Sequence, residues 1–516
     1  MAEAGAIPAA VFDAARLPLP LRLKTDVCVV GSGAGGMAAA MVAAEAGREV
    51  LVLEAGQLTG PNQMSQREEQ MFPRLFWDSG GRTTADRAVK IHQGKGVGGS
   101  TIHNLSLCKR IPEAIRAHWE RERGLRHLPR ERWEALYAEL EALLQVEPVG
   151  DDRVSRHNLL FAAGCAALGW KGARLLYNRT GCLGAGFCEL GCTYDAKNNA
   201  AKVLLPRALR AGAQVLTCCQ AVRVLHSRGQ VRGVIAAAVD PRDGHALGEV
   251  RVEAKRVCLS ASATGTAALL LRSGVEDPGG ETGNTLRIHP AVVVAGDFDE
   301  PVHAWEGVPQ SQECTEWLDL DGADREDAPR AWILPAFAHP VGTATMMPGH
   351  GAFHRQLMRR YPNLAAFSAM IHDRTRGRVR PDGDLGLRLD YWPDASDRRE
   401  LARGLWACAR LLIAAGARRA LVPSWPPRLF ERGDSLDSLL AFPIERGAID
   451  VVAVHPMSTV PMGDDPRVAA VGSDGRHHHL DGLFVADGSL FPTSIGVPPQ
   501  LSIYAMGLHV GRAHLR

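Results

Sequence analysis

The chain has 516 residues, 46% of them hydrophobic, with 59 Lys+Arg against 57 Asp+Glu. Such a length can bury a large core in roughly two to four domains, and a net charge of +2 leaves no electrostatic footprint for nucleic acid or an anionic surface. Eleven cysteines exclude complete pairing and are too sparse for a small secreted framework, so a reducing, cytoplasmic setting is expected.

The N-terminus carries Asp13 and Arg16 and lacks a basic start followed by an apolar run, which makes it a poor secretion signal. No stretch of about 18 uncharged apolar residues is present, so no membrane-spanning helix is expected. Asp26 to Val30 (DVCVV) predicts a buried strand. Gly31, Gly33 and Gly36 then give G-x-G-x-x-G, an Ala/Met-rich helix follows, and a second strand, Val50 to Leu53, ends at Glu54. The glycines permit a tight turn and close approach of backbone to a pyrophosphate at the helix N-terminus, and Glu54 can accept from ribose hydroxyls. This predicts dinucleotide binding. An acid at the ribose position argues against NADP but does not separate NAD from FAD.

A second glycine-rich stretch, GKGVGGSTIHN, runs from Gly94 to Asn104. Further on, TGCLGAGFCELGC holds Cys182, Cys188 and Cys192 in a C-x5-C-x3-C spacing, too short for a zinc ribbon and one ligand short of a four-cysteine cluster. Structural thiols, a disulfide or an iron–sulfur cluster are all compatible with it. Residues 213–239 predict a strand and a hairpin turning near Gly229, and RVCLSASATGTAALLL predicts strand, turn and helix, with small residues at Ser262, Gly265 and Thr266. From Arg287 onward, alternating strands with Trp305, Trp317 and Trp332 predict an antiparallel sheet. The charge-rich run from Asp373 to Asp384 predicts a loop, and Asp397 to Ala415 an amphipathic helix stopped by Gly416.

H-P-x-[GS]-T-x-x-M occurs twice, at His339 and His455. Only the second precedes a strand, Leu483 to Ala486, that ends in Asp487-Gly488 and leads into a C-terminal helix. The run His477 to His479 predicts a solvated turn.

Taken together, these stretches resemble the glucose-methanol-choline oxidoreductases over nearly the whole chain, and the bacterial long-chain-alcohol and sterol-oxidising branch in particular. The resemblance implies an α/β fold: a Rossmann-like FAD-binding domain in two parts, residues 20–290 and 448–516, flanking a substrate domain on an antiparallel sheet, residues 291–447. It implies FAD held by Gly31, Gly33, Gly36 and Glu54, with Gly98, Gly99, Ser100 and Asn104 along the flavin ring and Asp487 and Gly488 near its ribityl–pyrophosphate region. His103 stands where one branch bonds flavin covalently; packing against the ring is the alternative. His455 would take the hydroxyl proton of a hydrophobic or ring-bearing alcohol as hydride leaves for flavin N5, while His339 would be a coincidental match. Family members place Asn or His where this chain has Pro498; either Gln500 or Tyr504 compensates, or His455 works alone. A non-dehydrogenating family member, or a non-catalytic electron-transfer subunit, is the alternative reading. The cysteine loop resembles that of bacterial FAD-dependent glucose dehydrogenases, which implies a 3Fe-4S cluster on Cys182, Cys188 and Cys192 and a cytochrome partner.

Overall fold

The computed structural model describes residues 10–516 apart from 323, 324, 326, 337 and 338; residues 1–9, part of the N-terminus read as a poor secretion signal, lie outside it. Its secondary structure sorts into two sheets. In the first, the strands run Val11–Asp13, Gln214–Thr217, Val50–Leu53, Leu21–Val30, Ala246–Leu259, Gln230–Val239 and Cys219–Ser227, and Leu483–Val485 joins the end of Ala246–Leu259. The pairs around Leu21–Val30 are parallel and the 219–239 hairpin is antiparallel. Parallel strands are buried on both faces, which is why 27–30 and 50–53 read as unbroken apolar runs. The helix Ala34–Glu45 leaves the tip of Leu21–Val30. It is apolar on every side because it is sandwiched, and a Cβ on Gly507 of the C-terminal helix would meet Gly35 O at 2.2 Å.

The second sheet orders Arg428–Glu431, Arg419–Val422, Ala291–Asp297, Leu364–Ile371, Ala331–Ala336, Gln312–Cys314 and Gly172–Arg174, all antiparallel. Val451–Ala453 and Val89–Ile91 extend it beside Ala291. Trp332 lies on one of these strands, whereas Trp305 and Trp317 sit in the connections. Strand periodicity divides the sheet. Val292, Val294, Phe367 and Ala369 are buried in the core shared with the helix Ala395–Ala414, while Ala291, Val293, Ala295, Ala366, Ser368 and Met370 face a cavity. Leu401, Leu405, Cys408 and Leu412 of that helix are fully buried, as the amphipathic pattern predicts.

Two local expectations are corrected. The charge-rich 373–384 segment contains a strand, Arg378–Asp382, paired with Gly386–Asp390; its charges alternate with the buried Val379, so only one face of the ribbon meets solvent. The histidine run is not a solvated turn: His477 is 1% exposed, and His478 and His479 hydrogen-bond the carbonyls of Gly463 and Pro466.

Candidate active site

A cavity of about 900 Å³ lies between the two sheets. At one end is the first glycine turn. Gly31 has φ +97°, and a Cβ there would collide with Ser260 O at 2.2 Å, so no other residue fits. Gly33 is different: a Cβ there would meet only Gly99 Cα, at 4.0 Å, so bare backbone faces the cavity at the N-terminus of Ala34–Glu45, which no side chain caps. Glu54 does more than wait for a ribose. Its Oε2 accepts from Ser32 N (3.1 Å) and Ser32 Oγ (2.6 Å), and its Oε1 from Gly56 N (2.9 Å) and Gly96 N (3.1 Å). The carboxylate therefore ties the two glycine turns together, and burial raises its pKa although these bonds oppose the rise.

The second turn brings Gly98 and Gly99, both at positive φ, against the first. Ser100 Oγ accepts from Gly94 N at 2.9 Å. Asn104 Nδ2 donates to Gln500 Oε1 at 2.8 Å, and Gln500 Nε2 donates to Leu107 O at 2.6 Å. Gln500 is thus a strut for the loop, with both ends of its amide engaged. His103 lines the cavity, packs on the Phe76 ring at 4.0 Å, and keeps Nε2 buried without a partner. Burial, with Lys197 and His92 adding to it, holds His103 well below the usual histidine range.

His455 also lines the cavity, half-buried after the strand Val451–Ala453. Burial lowers its pKa to about 4. Its Nδ1 lies 3.3 Å from Nδ1 of His289, and the two rings are nearly perpendicular. His289 in turn accepts at Nε2 from Gly496 N, 2.9 Å away. Its backbone is in the left-handed region (φ +50°), uncommon for a residue other than glycine, and the Asp373 carboxylate holds it there by accepting from Ile288 N and His289 N. Pro498 lines the cavity without a polar group. Asp487 accepts from Thr266 Oγ1 and Ser489 N, which fixes the Asp487-Gly488 turn at the cavity floor. His339 is not a lining residue; it starts the helix Pro340–Met346 and stacks on Phe187 at 4.6 Å.

Cys182, Cys188 and Cys192 are half-buried on a loop beside the second glycine turn. Among the described residues their sulfurs are not close enough together to share one ion. Arg179 Nη1 lies 3.8 Å from Cys182 Sγ, and Cys192 Sγ accepts from Ala196 N. Lys197, 2% exposed, donates to the carbonyls of Ile102, Asn104 and Cys188.

The donor set fits FAD. An uncapped helix N-terminus and bare glycine backbone suit a pyrophosphate, the second turn offers flat backbone, and the unpartnered His103 nitrogen faces the same space. Sequence reasoning missed His289 and Lys197. A signal for the first was available: the chain has three His-Pro pairs, at His289, His339 and His455, and the fold brings the first and third together.

Comparison with known proteins follows the same lines. Family profiles described as GMC oxidoreductase match residues 72–291 and 373–507, and one described as FAD dependent oxidoreductase matches residues 26–78. An uncharacterised GMC-type oxidoreductase of Mycobacterium tuberculosis is 35% identical over 499 residues, covering 95% of this chain and 76% of that protein. A long-chain-alcohol oxidase of Arabidopsis thaliana is 27% identical over 514 residues, 94% of this chain and 67% of its own length. Among solved structures, pyridoxine 4-oxidase from Mesorbium loti superposes with a TM-score of 0.70 at 20% identity, over 95% of this chain and 99% of that one, a likeness of fold.

Proposed function

The chain belongs to the GMC oxidoreductase family, an FAD-dependent oxidoreductase, and from that membership we propose that it oxidises the CH–OH group of a hydrophobic alcohol with His455 as the proton acceptor. The observation that carries this reading is the half-buried imidazole of His455 on the wall of the cavity that the glycine turns also line, where burial lowers its pKa and favours the neutral form. FAD, when bound, supplies the hydride acceptor. Gly31, Gly33, Gly36 and Glu54 would hold its dinucleotide portion; Gly98, Gly99, Ser100 and Asn104 its ring; Asp487 and Gly488 the link between them. FAD would also provide the partner His103 Nε2 lacks, as a covalent bond or as a contact, and acid precipitation separates the two because covalent flavin stays in the pellet.

Substrate class follows from the wall. Val293, Leu334, Met370 and Leu421 line the cavity, and apolar surface there rewards alkyl or ring carbon at about 25 cal/mol per Å² buried. The likeness to a long-chain-alcohol oxidase supports the same class. His455 would remove the hydroxyl proton, and Gln500 would hold Asn104 and the loop in place rather than react. Anaerobic bleaching of the oxidised flavin by a panel of alcohols tests the proposal; a flavin that no alcohol reduces favours a non-dehydrogenating or electron-transfer role.

We extend the proposal to the cysteine loop as the holder of a 3Fe-4S cluster on Cys182, Cys188 and Cys192. Its support is the spacing and the two buried cations, Arg179 and Lys197, that would balance thiolate charge. Such a cluster supplies electron transfer to a protein acceptor such as a cytochrome.

A further inference from the structure

We propose that His289 is a positioning residue for His455, and that the Gly496 amide, by donating to its far nitrogen, fixes both rings in the tautomer that turns an N–H of His455 toward the cavity. The inference rests on the reading of His455 as proton acceptor.

A neutral imidazole has one N–H and one lone pair. Gly496 N donates to His289 Nε2 at 2.9 Å, so the lone pair of His289 is there and its proton is on Nδ1. That proton faces His455 Nδ1, 3.3 Å away, which therefore supplies a lone pair. The remaining proton of His455 sits on Nε2. The anchor points are themselves held. Ser494, two residues before Gly496, bonds His372 Nδ1 (3.1 Å) and Asp373 O (3.0 Å), and Asp373 braces the His289 backbone.

A third proton has no place in this chain of donors. On His455 Nδ1 it would meet the His289 N–H, and on His289 Nε2 it would meet the Gly496 N–H. The groups packed around the pair are His372, Asp373, Tyr391 and Arg287. The Asp373 carboxylate is taken up by Ile288 N, His289 N and the Tyr391 hydroxyl, leaving the rings to each other. Burial, then His455 and His372, keeps His289 well below the ordinary histidine range.

The lock has a chemical consequence. To receive a proton at Nε2, His455 must carry its own proton on Nδ1. That exchange releases the His455 Nε2 proton to water in the cavity, moves the His289 Nδ1 proton to His455 Nδ1, and returns one proton from water to His289 Nε2, where the Gly496 N–H stands. The Gly496 contact therefore opens before the alcohol's proton moves. His455 Nε2 would then take the O–H proton of the alcohol, and FAD, when bound, would supply the acceptor for the hydride of its C–H bond. His289, two residues before the strand Ala291–Asp297, supplies the polar partner for His455 that Pro498 on the same cavity wall lacks.

Two readouts on the holoenzyme test this. Nitrogen-15 NMR of labelled histidines, without substrate, is expected to show His455 protonated on Nε2 and bare on Nδ1. His289→Ala should give mixed tautomers. His289→Gln should keep the single tautomer, because its amide oxygen can accept from Gly496 and its NH2 can donate to His455. In the pH profile of anaerobic flavin reduction, His289→Ala should move the acid limb up by about one unit or more, the scale of one lost hydrogen bond, and His289→Gln should restore it. A resting His455 protonated on Nδ1, or a wild-type profile in His289→Ala, overturns the proposal. His455→Ala reducing its flavin at wild-type speed instead removes the proton-acceptor reading, and the NMR result alone then decides the lock.

Discussion

Lys197 leaves the cysteine loop to donate, 2.7 Å away, to the carbonyl of Ile102, the residue before His103. The same ammonium serves Asn104 O and Cys188 O, so one buried cation fastens the proposed ring-facing loop to the cysteine loop. Two segments some ninety residues apart are thereby one mechanical unit.

Lys197→Met is expected to leave these carbonyls without their charged donor. Hydrogen bonds to charged groups contribute about 1.5–3 kcal/mol, so chemical denaturation should show a loss of that order, with flavin washing out faster on gel filtration. Unchanged stability and unchanged flavin content would show that the bridge holds nothing.

His455→Ala should keep flavin bound and slow its reduction by alcohol about a hundredfold or more, the usual worth of a general base. His339→Ala, altering a histidine off the cavity wall, should reduce flavin at near wild-type speed. The pH dependence has a definite sign. Burial lowers His455 to about 4, so its reactive neutral form persists through neutrality and the rate should fall only as pH drops toward about 4. The unfolded chain takes up that proton near the ordinary histidine value of 6.5, so stability should fall as pH drops from about 6.5 to about 4, above the range where the rate falls, and level off below it. A rate that collapses already near pH 6.5 would contradict a buried His455.

Ala366→Phe puts a ring into the cavity from a strand whose register opposes Ala366 to Ala295. Long alcohols should suffer and short ones should not. Each methylene denied burial costs about 0.8 kcal/mol, or roughly fourfold in kcat/KM. Equal losses for short and long alcohols would mean that the wall does not meet the chain.

Protein purified anaerobically from iron-replete cells is expected to be brown and to carry about three irons per chain, lost in Cys188→Ser. Iron-free protein from that preparation returns Cys182, Cys188 and Cys192 to structural thiols held by Lys197.

The first glycine turn was legible because sterics left no alternative: a Cβ at Gly31 has nowhere to go, and the strand, helix and Glu54 follow in fixed order. The strands of the second sheet were legible from alternation, since one face packs on a helix and the other on a cavity. His289 was not. Its only local mark is a proline beside it, and its partner lies 166 residues away, a distance that only the fold closes. Glu54 was legible as an acid after a strand, but not as a brace, because its backbone donors include Ser32 and Gly96 from two separate turns besides the nearby Gly56. The 378–382 strand was hidden by its own charges, which an antiparallel pair with one face on the core and one in solvent tolerates. Gln500 was legible as a residue near the cavity, but not its bonds to Asn104 and Leu107, which lie 396 and 393 residues away in sequence.

The two-faced sheet over the cavity has one more implication. Odd and even positions along Ala291–Asp297 answer to different masters: Val292 and Val294 to the core shared with the long helix, Val293 and Ala295 to whatever enters. Mutations of one parity are judged by whether the protein survives, and those of the other by what it eats. A lineage can therefore change diet through a handful of single-residue steps on that wall, each invisible to the folding of the chain, and relatives sharing this architecture can diverge in substrate while their cores stay still.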